Sequence, residues 1–191
     1  MAETAELKKW KGKDWYAILA PEMFGKKQIG EIPTTDAKLL PGKVVEVSLP
    51  EIGGPGQKFY MKLNFKFDKV DGKSVSTKFH GLSLMNEHMY RIVRKRMQKT
   101  ELVTYVDTKD GWKLQLTFIA MLNRNTNASV QTEVRVASEK FLKDFASKSG
   151  IDDFVKAVTA GSLQHSIRKM GNRIYPIRFS EVTKIEVKKA A

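Results

Sequence analysis

Residues 58–67 alternate without a break: Phe59, Met61, Leu63, Phe65 and Phe67 fall on one face, Lys58, Tyr60, Lys62, Asn64 and Lys66 on the other. A period of two is that of a half-buried strand, and it commits the chain to a sheet with one apolar and one wet face. Asp71-Gly72 follows and supplies the positive φ values of a tight hairpin turn, which predicts a return strand from Ser74 to about His80. The device recurs downstream: a strand over 102–108, a turn at Asp110-Gly111, then a strand over 112–121 with Trp112, Leu114, Leu116 and Phe118 on one side. A valine-rich strand over 43–49 comes before both hairpins. A closing strand over 172–189 carries Ile174, Ile177, Phe179, Val182, Ile185 and Val187. Strands joined this way favour an antiparallel sheet curled into a barrel or half-barrel over a parallel one.

Between and after the hairpins the period changes to that of helices. Residues 86–99 place Met85, Met89, Ile92 and Val93 on one side, with Arg91, Arg94, Lys95 and Lys99 on the rest and Arg96 near the border, which predicts a basic amphipathic helix. A second helix is predicted over 129–148 from Val130, Val134, Ala137, Phe141, Leu142 and Phe145, with Gly150 as its left-handed C-cap. A shorter one follows over 152–160, with Asp152 and Asp153 at its positive end. Gly161 and Ser162 stop it and cap a further turn through Ile167. By contrast, residues 1–35 are basic, aromatic and broken by Gly12, Pro21, Gly25, Gly30 and Pro33, so they read as an irregular arm. The expectation is an α+β fold, mainly an antiparallel sheet with packed helices: an arm over 1–35 and one globular domain over 36–191.

The chain of 191 residues carries 34 Lys and Arg against 21 Asp and Glu, a formal charge of +13, and that surplus is concentrated rather than spread. Self-repulsion on this scale points to a polyanionic partner, nucleic acid before an anionic membrane. Lys8, Lys9, Lys11 and Lys13 interleave with Trp10, Trp15 and Tyr16 in the arm, and Lys26 and Lys27 extend the cluster. Cations neutralise phosphates while flat rings stack on unpaired bases, each stack contributing about 1–3 kcal/mol, so this segment suits RNA; burial of Trp15 and Tyr16 in the core is the alternative. No acidic residue lies between Glu87 and Glu101, a stretch holding Arg91, Arg94, Lys95, Arg96 and Lys99, and none lies between Asp153 and Glu181, which holds Lys156, Arg168, Lys169, Arg173 and Arg178. Arg124 sits among asparagines and hydroxyl residues in the loop 123–129, before a helix N-terminus suited to a phosphate. Dispersed clusters fit a protein wedged into folded RNA better than a groove reader with one recognition helix.

Enzyme constellations are missing from the sequence. With Cys 0 and only His80, His88 and His165 as imidazoles, there is no disulfide, thiolate zinc site or cysteine nucleophile, and no cofactor or metal is expected. The Gly53-Gly54-Pro55-Gly56 loop lacks the Gly-Lys-Ser/Thr ending of a nucleotide cradle and reads as a hairpin connection. Asp152 and Asp153 point about 100° apart on a helix and make a poor dyad. The enzyme-class rival, a hydrolase or transferase acting on RNA, requires a tight acidic or histidine cluster in a cleft. No apolar run approaches the roughly 18–20 residues of a membrane span, and no secretory signal is visible, so a soluble, cytoplasmic protein is expected.

Particular motifs then add a likeness. LKKWKGKDWYAILAPEMFGKKQIGEIPTTD, GKVVEVSLPEI, KFYMKLNFKFDKVDGKSVSTKFHG, RIVRKR, DTKDGWKLQL and RIYPIRFSEVTKIEVKK, spread over nearly the whole chain, resemble the archaeal and eukaryotic small-subunit ribosomal protein family known as S-three-A-e or S-one-e. The likeness implies a barrel-like sheet with packed helices, seated on the platform of the small subunit near the exit of the messenger RNA channel and the 3′ end of the rRNA. It implies small-subunit rRNA and neighbouring ribosomal proteins as partners, with messenger RNA close by. The lack of a long basic C-terminal extension looks archaeal. Through the matching motifs the likeness assigns an RNA-facing role to Lys8, Lys9, Trp10, Lys11 and Lys13 and to Arg94, Lys95 and Arg96; Arg168, Lys169 and Arg173 rest on charge alone. A transient RNA-binding, ribosome-associated factor is the alternative reading.

Overall fold

A hairpin stands where the irregular arm was expected. In the computed structural model, which describes residues 12–189, β1 (Asp14–Leu19) and β2 (Gln28–Thr34) pair antiparallel. Gly30 and Pro33 are tolerated as strand residues because β2 lies at a sheet edge, where a missing N–H breaks no ladder. Ile18 is buried beside Leu40, Phe67 and Val75, with Tyr16 packed against them, while Trp15 stays 53% exposed. In the turn between the strands, Gly25 takes φ 77, and Phe24 sits edge-on to Phe65 at 5.7 Å. Lys8, Lys9, Trp10 and Lys11 lie outside the described residues.

The two Asp-Gly hairpins form as expected. β3 (Val44–Ser48) pairs with β4 (Met61–Asp71), which turns at Gly72 into β5 (Ser74–Leu84). After α1 (Asn86–Ile92), β6 (Gln98–Asp107) turns at Gly111 into β7 (Lys113–Leu122). Then come α2 (Ala128–Lys148), α3 (Ile151–Ala160), α4 (Ser162–Gly171) and β8 (Ile177–Lys189). Met61, Leu63, Phe65 and Phe67 are buried as the alternation requires. Phe59, however, precedes the strand and is 54% exposed.

The sheet does not close into a barrel. Its path runs β2-β1-β5-β8-β7-β6, with β4 on the other edge of β5 and β3 beyond it. The reason lies at β5, one edge of which is shared: β1 pairs parallel with residues 74–76, and β8 pairs antiparallel with residues 81–83. The sheet therefore forks. The face that a barrel would enclose is packed by helices: Val134 and Leu142 of α2, Phe154 and Val158 of α3 and Leu163 and Ile167 of α4 share one core with Leu63, Phe65, Leu116, Phe118 and Ile185.

The seam between the two parts of the sheet depends on Gly81, which is buried opposite Glu186; a Cβ there would lie 2.5 Å from the Ile185 carbonyl oxygen. Gly81→Ala is expected to lower unfolding stability by about 1–3 kcal/mol, read as a fall in urea midpoint. Gly56→Ala, where a Cβ meets nothing within 4 Å, serves as the neutral control.

Three helix expectations change. The basic helix over 86–99 stops at Ile92: Val93 is extended at ψ 113, Arg96 takes a left-handed φ 68, and Gln98 already pairs with Leu122. An apolar contact and a like-charge run decide this. Met89 and Ile92 cover Ile119 and Met121, whereas continuing the helix would stack Arg91, Arg94 and Lys95 at neighbouring turns. Gly150 is no left-handed cap, since its φ is −73 and Ser149 ends α2. What the site needs is room: a Cβ at Gly150 would sit 2.6 Å from Asp110 Oδ2, the oxygen that accepts the Ile151 N–H at 2.9 Å. Asp110 of the second hairpin turn thus caps α3, with Asp152 and Asp153 in the first turn as expected. Gly161 ends α3 at φ 87, but α4 runs on to Gly171 and β8 begins only at Ile177.

Candidate nucleic-acid interface

Gln98, Leu122 and Ile177 are cross-strand partners, so β6 starts, β7 ends and β8 starts at one end of the sheet. Three segments distant in sequence meet there: the turn after α1, the loop before α2 and the turn after α4. They bring Arg94, Lys95 and Arg96, then Arg124, then Arg173 and Arg178 to one edge, beside Arg91 in the last turn of α1 and Arg168 and Lys169 in the last turn of α4. All are exposed, and among the described residues none of these cations forms an ion pair.

Several of the groups are held by local bonds. Arg168 Nε donates to the Ile177 carbonyl at 3.0 Å, and the Ile177 N–H donates to Asn172 Oδ1 at 2.7 Å. The Asn123 N–H donates to the Pro176 carbonyl at 3.1 Å. The Arg178 guanidinium lies 5.8 Å from the centroid of the Phe179 ring, a cation–π distance. Between these groups lies an open cavity of about 470 Å³, lined by Asn123, Arg168, Asn172, Pro176, Ile177 and Arg178, with no carboxylate or imidazole in its wall.

Other candidates from the sequence sit apart. Lys99 is on β6 beside this edge but pairs with Glu101 at 2.8 Å. The β1–β2 hairpin joins β5 at residues 74–76, away from where β8 pairs, so Lys13, Trp15, Lys26 and Lys27 are not brought to the edge. Lys26 contacts Glu22 at 2.7 Å and holds that carboxyl below the usual carboxylate range. Tyr90, which the charge pattern of the sequence does not mark, is 75% exposed beside Arg91. The helical period that turns Met89 and Ile92 inward also turns Tyr90 outward, which was the available signal.

Partly buried titratable groups lie elsewhere. Burial raises the Glu181 carboxyl to about 7 against a lesser opposing pull from Lys58. Burial also pushes Lys58 below its ordinary range, and its ammonium donates to the Thr159 carbonyl at 2.7 Å. His88 stacks on Tyr60 with centroids 3.6 Å apart; burial first and Arg91 second lower its pKa, and its buried Nε2 has no hydrogen-bond partner. Among the described residues, no three His, Asp or Glu side chains are grouped to hold a metal, and no helix is long and apolar enough to cross a membrane.

Among the described residues this edge gathers arginines and lysines without counter-charges, the pattern that a polyanion complements. The sequence matches the Ribosomal S3Ae family over residues 2–191. It is 33% identical over 189 residues to a small ribosomal subunit protein eS1 from Sulfurisphaera tokodaii, covering 99% of this chain and 98% of that one. It is 31% identical over 178 residues to the eS1 protein of Methanothermobacter thermautotrophicus, with 93% and 91% covered, and 33% identical over 183 residues to that of Methanopyrus kandleri, with 94% and 87% covered. The chain belongs to the Ribosomal S3Ae family, whose members are structural proteins of the small ribosomal subunit rather than enzymes.

Proposed function

We propose that this chain binds small-subunit rRNA through the arginine edge and helps shape the platform near the exit of the messenger RNA channel. The convergence of three acid-poor segments at one end of β6, β7 and β8 carries the reading. Phosphates supply the counter-charges that the protein itself does not provide there, and displacement of their condensed cations drives binding. Exposed Tyr90 offers a stacking face next to Arg91, as single-stranded RNA requires. The basic N-terminal residues Lys8, Lys9, Trp10, Lys11 and Lys13, with Trp15, Lys26 and Lys27, form a second contact in this reading. Neighbouring small-subunit proteins and emerging messenger RNA complete the surroundings.

Sedimentation tests the reading. The tagged full chain is expected to stay with small subunits through a high-salt wash and to protect rRNA near its 3′ end from hydroxyl radicals. Release into the light fractions identifies a transient ribosome-associated factor, and protection confined to another region moves the protein off the platform.

A further inference from the structure

We infer that the cavity between Asn123, Arg168, Asn172, Pro176 and Arg178 receives a single unpaired RNA nucleotide, base inward and phosphate against the arginines, an inference that rests on the RNA-binding reading above. The two guanidinium groups are directed before any ligand arrives. Arg168 spends its Nε on the Ile177 carbonyl and keeps its terminal N–H fork free for a phosphate, while Arg178 lies over the Phe179 ring. A phosphate alone does not account for the rest of the wall. The Asn172 side-chain oxygen is occupied by the Ile177 N–H, which turns its amide N–H₂ into an available donor. The exposed Asn123 side chain, anchored through its backbone N–H on Pro176, presents both a donor and an acceptor.

A mixed donor and acceptor set matches the edge of a base, and its carbonyl oxygens repel a bare anion. Exposed Pro176 supplies an apolar surface between the two. At about 470 Å³ the space is within the range of small-ligand sites. These groups converge on one point from a loop, a helix end and a strand, whereas an A-form duplex spreads its phosphates along a track and keeps its bases stacked, with only their edges reachable. The occupant is therefore a bulged or flipped-out nucleotide.

The test uses the full chain and three RNA hairpins of equal length, followed by fluorescence anisotropy: one fully paired, one with a single-nucleotide bulge, and one whose bulge is abasic. The bulged hairpin is expected to bind about tenfold more tightly than the other two. Asn123→Ala is expected to reduce that preference to under about threefold while leaving the salt slope unchanged. Equal binding of the abasic and intact bulges overturns the base pocket in favour of a phosphate contact. Equal, salt-sensitive binding of all three hairpins overturns the pocket while the general rRNA reading stands. Absence of binding to any hairpin and to small-subunit rRNA overturns both.

Discussion

Replacing Arg94, Lys95 and Arg96 together by alanine is expected to weaken binding to small-subunit rRNA by about two to three powers of ten near 0.1 M salt. The turn is exposed, and none of the three cations is tied to a carboxylate in the described residues. Each phosphate contact contributes roughly 0.7–0.9 to the slope of log affinity against log salt, so losing three flattens that slope by about two to three units. The fold does not depend on these three side chains. The residues follow α1 instead of forming part of it, and the Arg94 carbonyl that accepts the Met97 N–H at 3.3 Å survives substitution. Alanine meets the same left-handed penalty as arginine at position 96, where φ is 68. Filter binding across a salt series reads the slope; a slope equal to that of the parent protein takes this turn out of the interface.

Glu181→Gln is expected to change how stability depends on pH. The carboxyl titrates near 7 in the fold against 4.5 when free, so between those values the folded protein holds a proton that the unfolded chain has released. Its contribution is therefore fully present below about 4.5 and is lost as pH rises through 7. At pH 8 the largely buried carboxylate costs on the order of 3 kcal/mol, its attraction to Lys58 already counted, and glutamine removes that cost without changing shape. The variant should thus resist urea better than the parent at pH 8 and match it near pH 4.5. Glu186, held down at about 2 by Lys184 and Lys188, titrates alike in both proteins and cancels in the comparison. A difference that does not vary with pH would mean the carboxyl is solvated.

Local chemistry was legible wherever one residue or one period decides the outcome. Met61, Leu63, Phe65 and Phe67 bury the face their alternation marks, and Gly72 and Gly111 turn the hairpins. Long-range pairing was not legible. Nothing local in DWYAIL reveals that it pairs parallel with residues 74–76, so the Gly and Pro residues around it read as an irregular arm when they mark an edge strand. Helix periodicity also overran its end at Ile92, because the cover that Ile92 gives Ile119 and Met121 and the pairing of Gln98 with Leu122 are both long-range contacts. The same limitation shaped the site. Charge clusters were visible one by one, yet their convergence follows from the shared register of Gln98, Leu122 and Ile177, and the roles of Asn123 and Asn172 follow from backbone contacts made only there.

β8, the last of the described strands in chain order, lies between β5 and β7 in the interior of the sheet. During synthesis both flanking strands therefore emerge while their ladders with β8 are still vacant, and each exposes unpaired amide edges until β8 follows. Loop closure from residues 81–83 to 184–186 sets a high contact order for the completing step, which favours slow closure and a need for protection of those edges in the nascent chain. The same strand starts at the arginine edge, so that edge is assembled only when this closure occurs, and an immature chain presents its cations without their fixed arrangement.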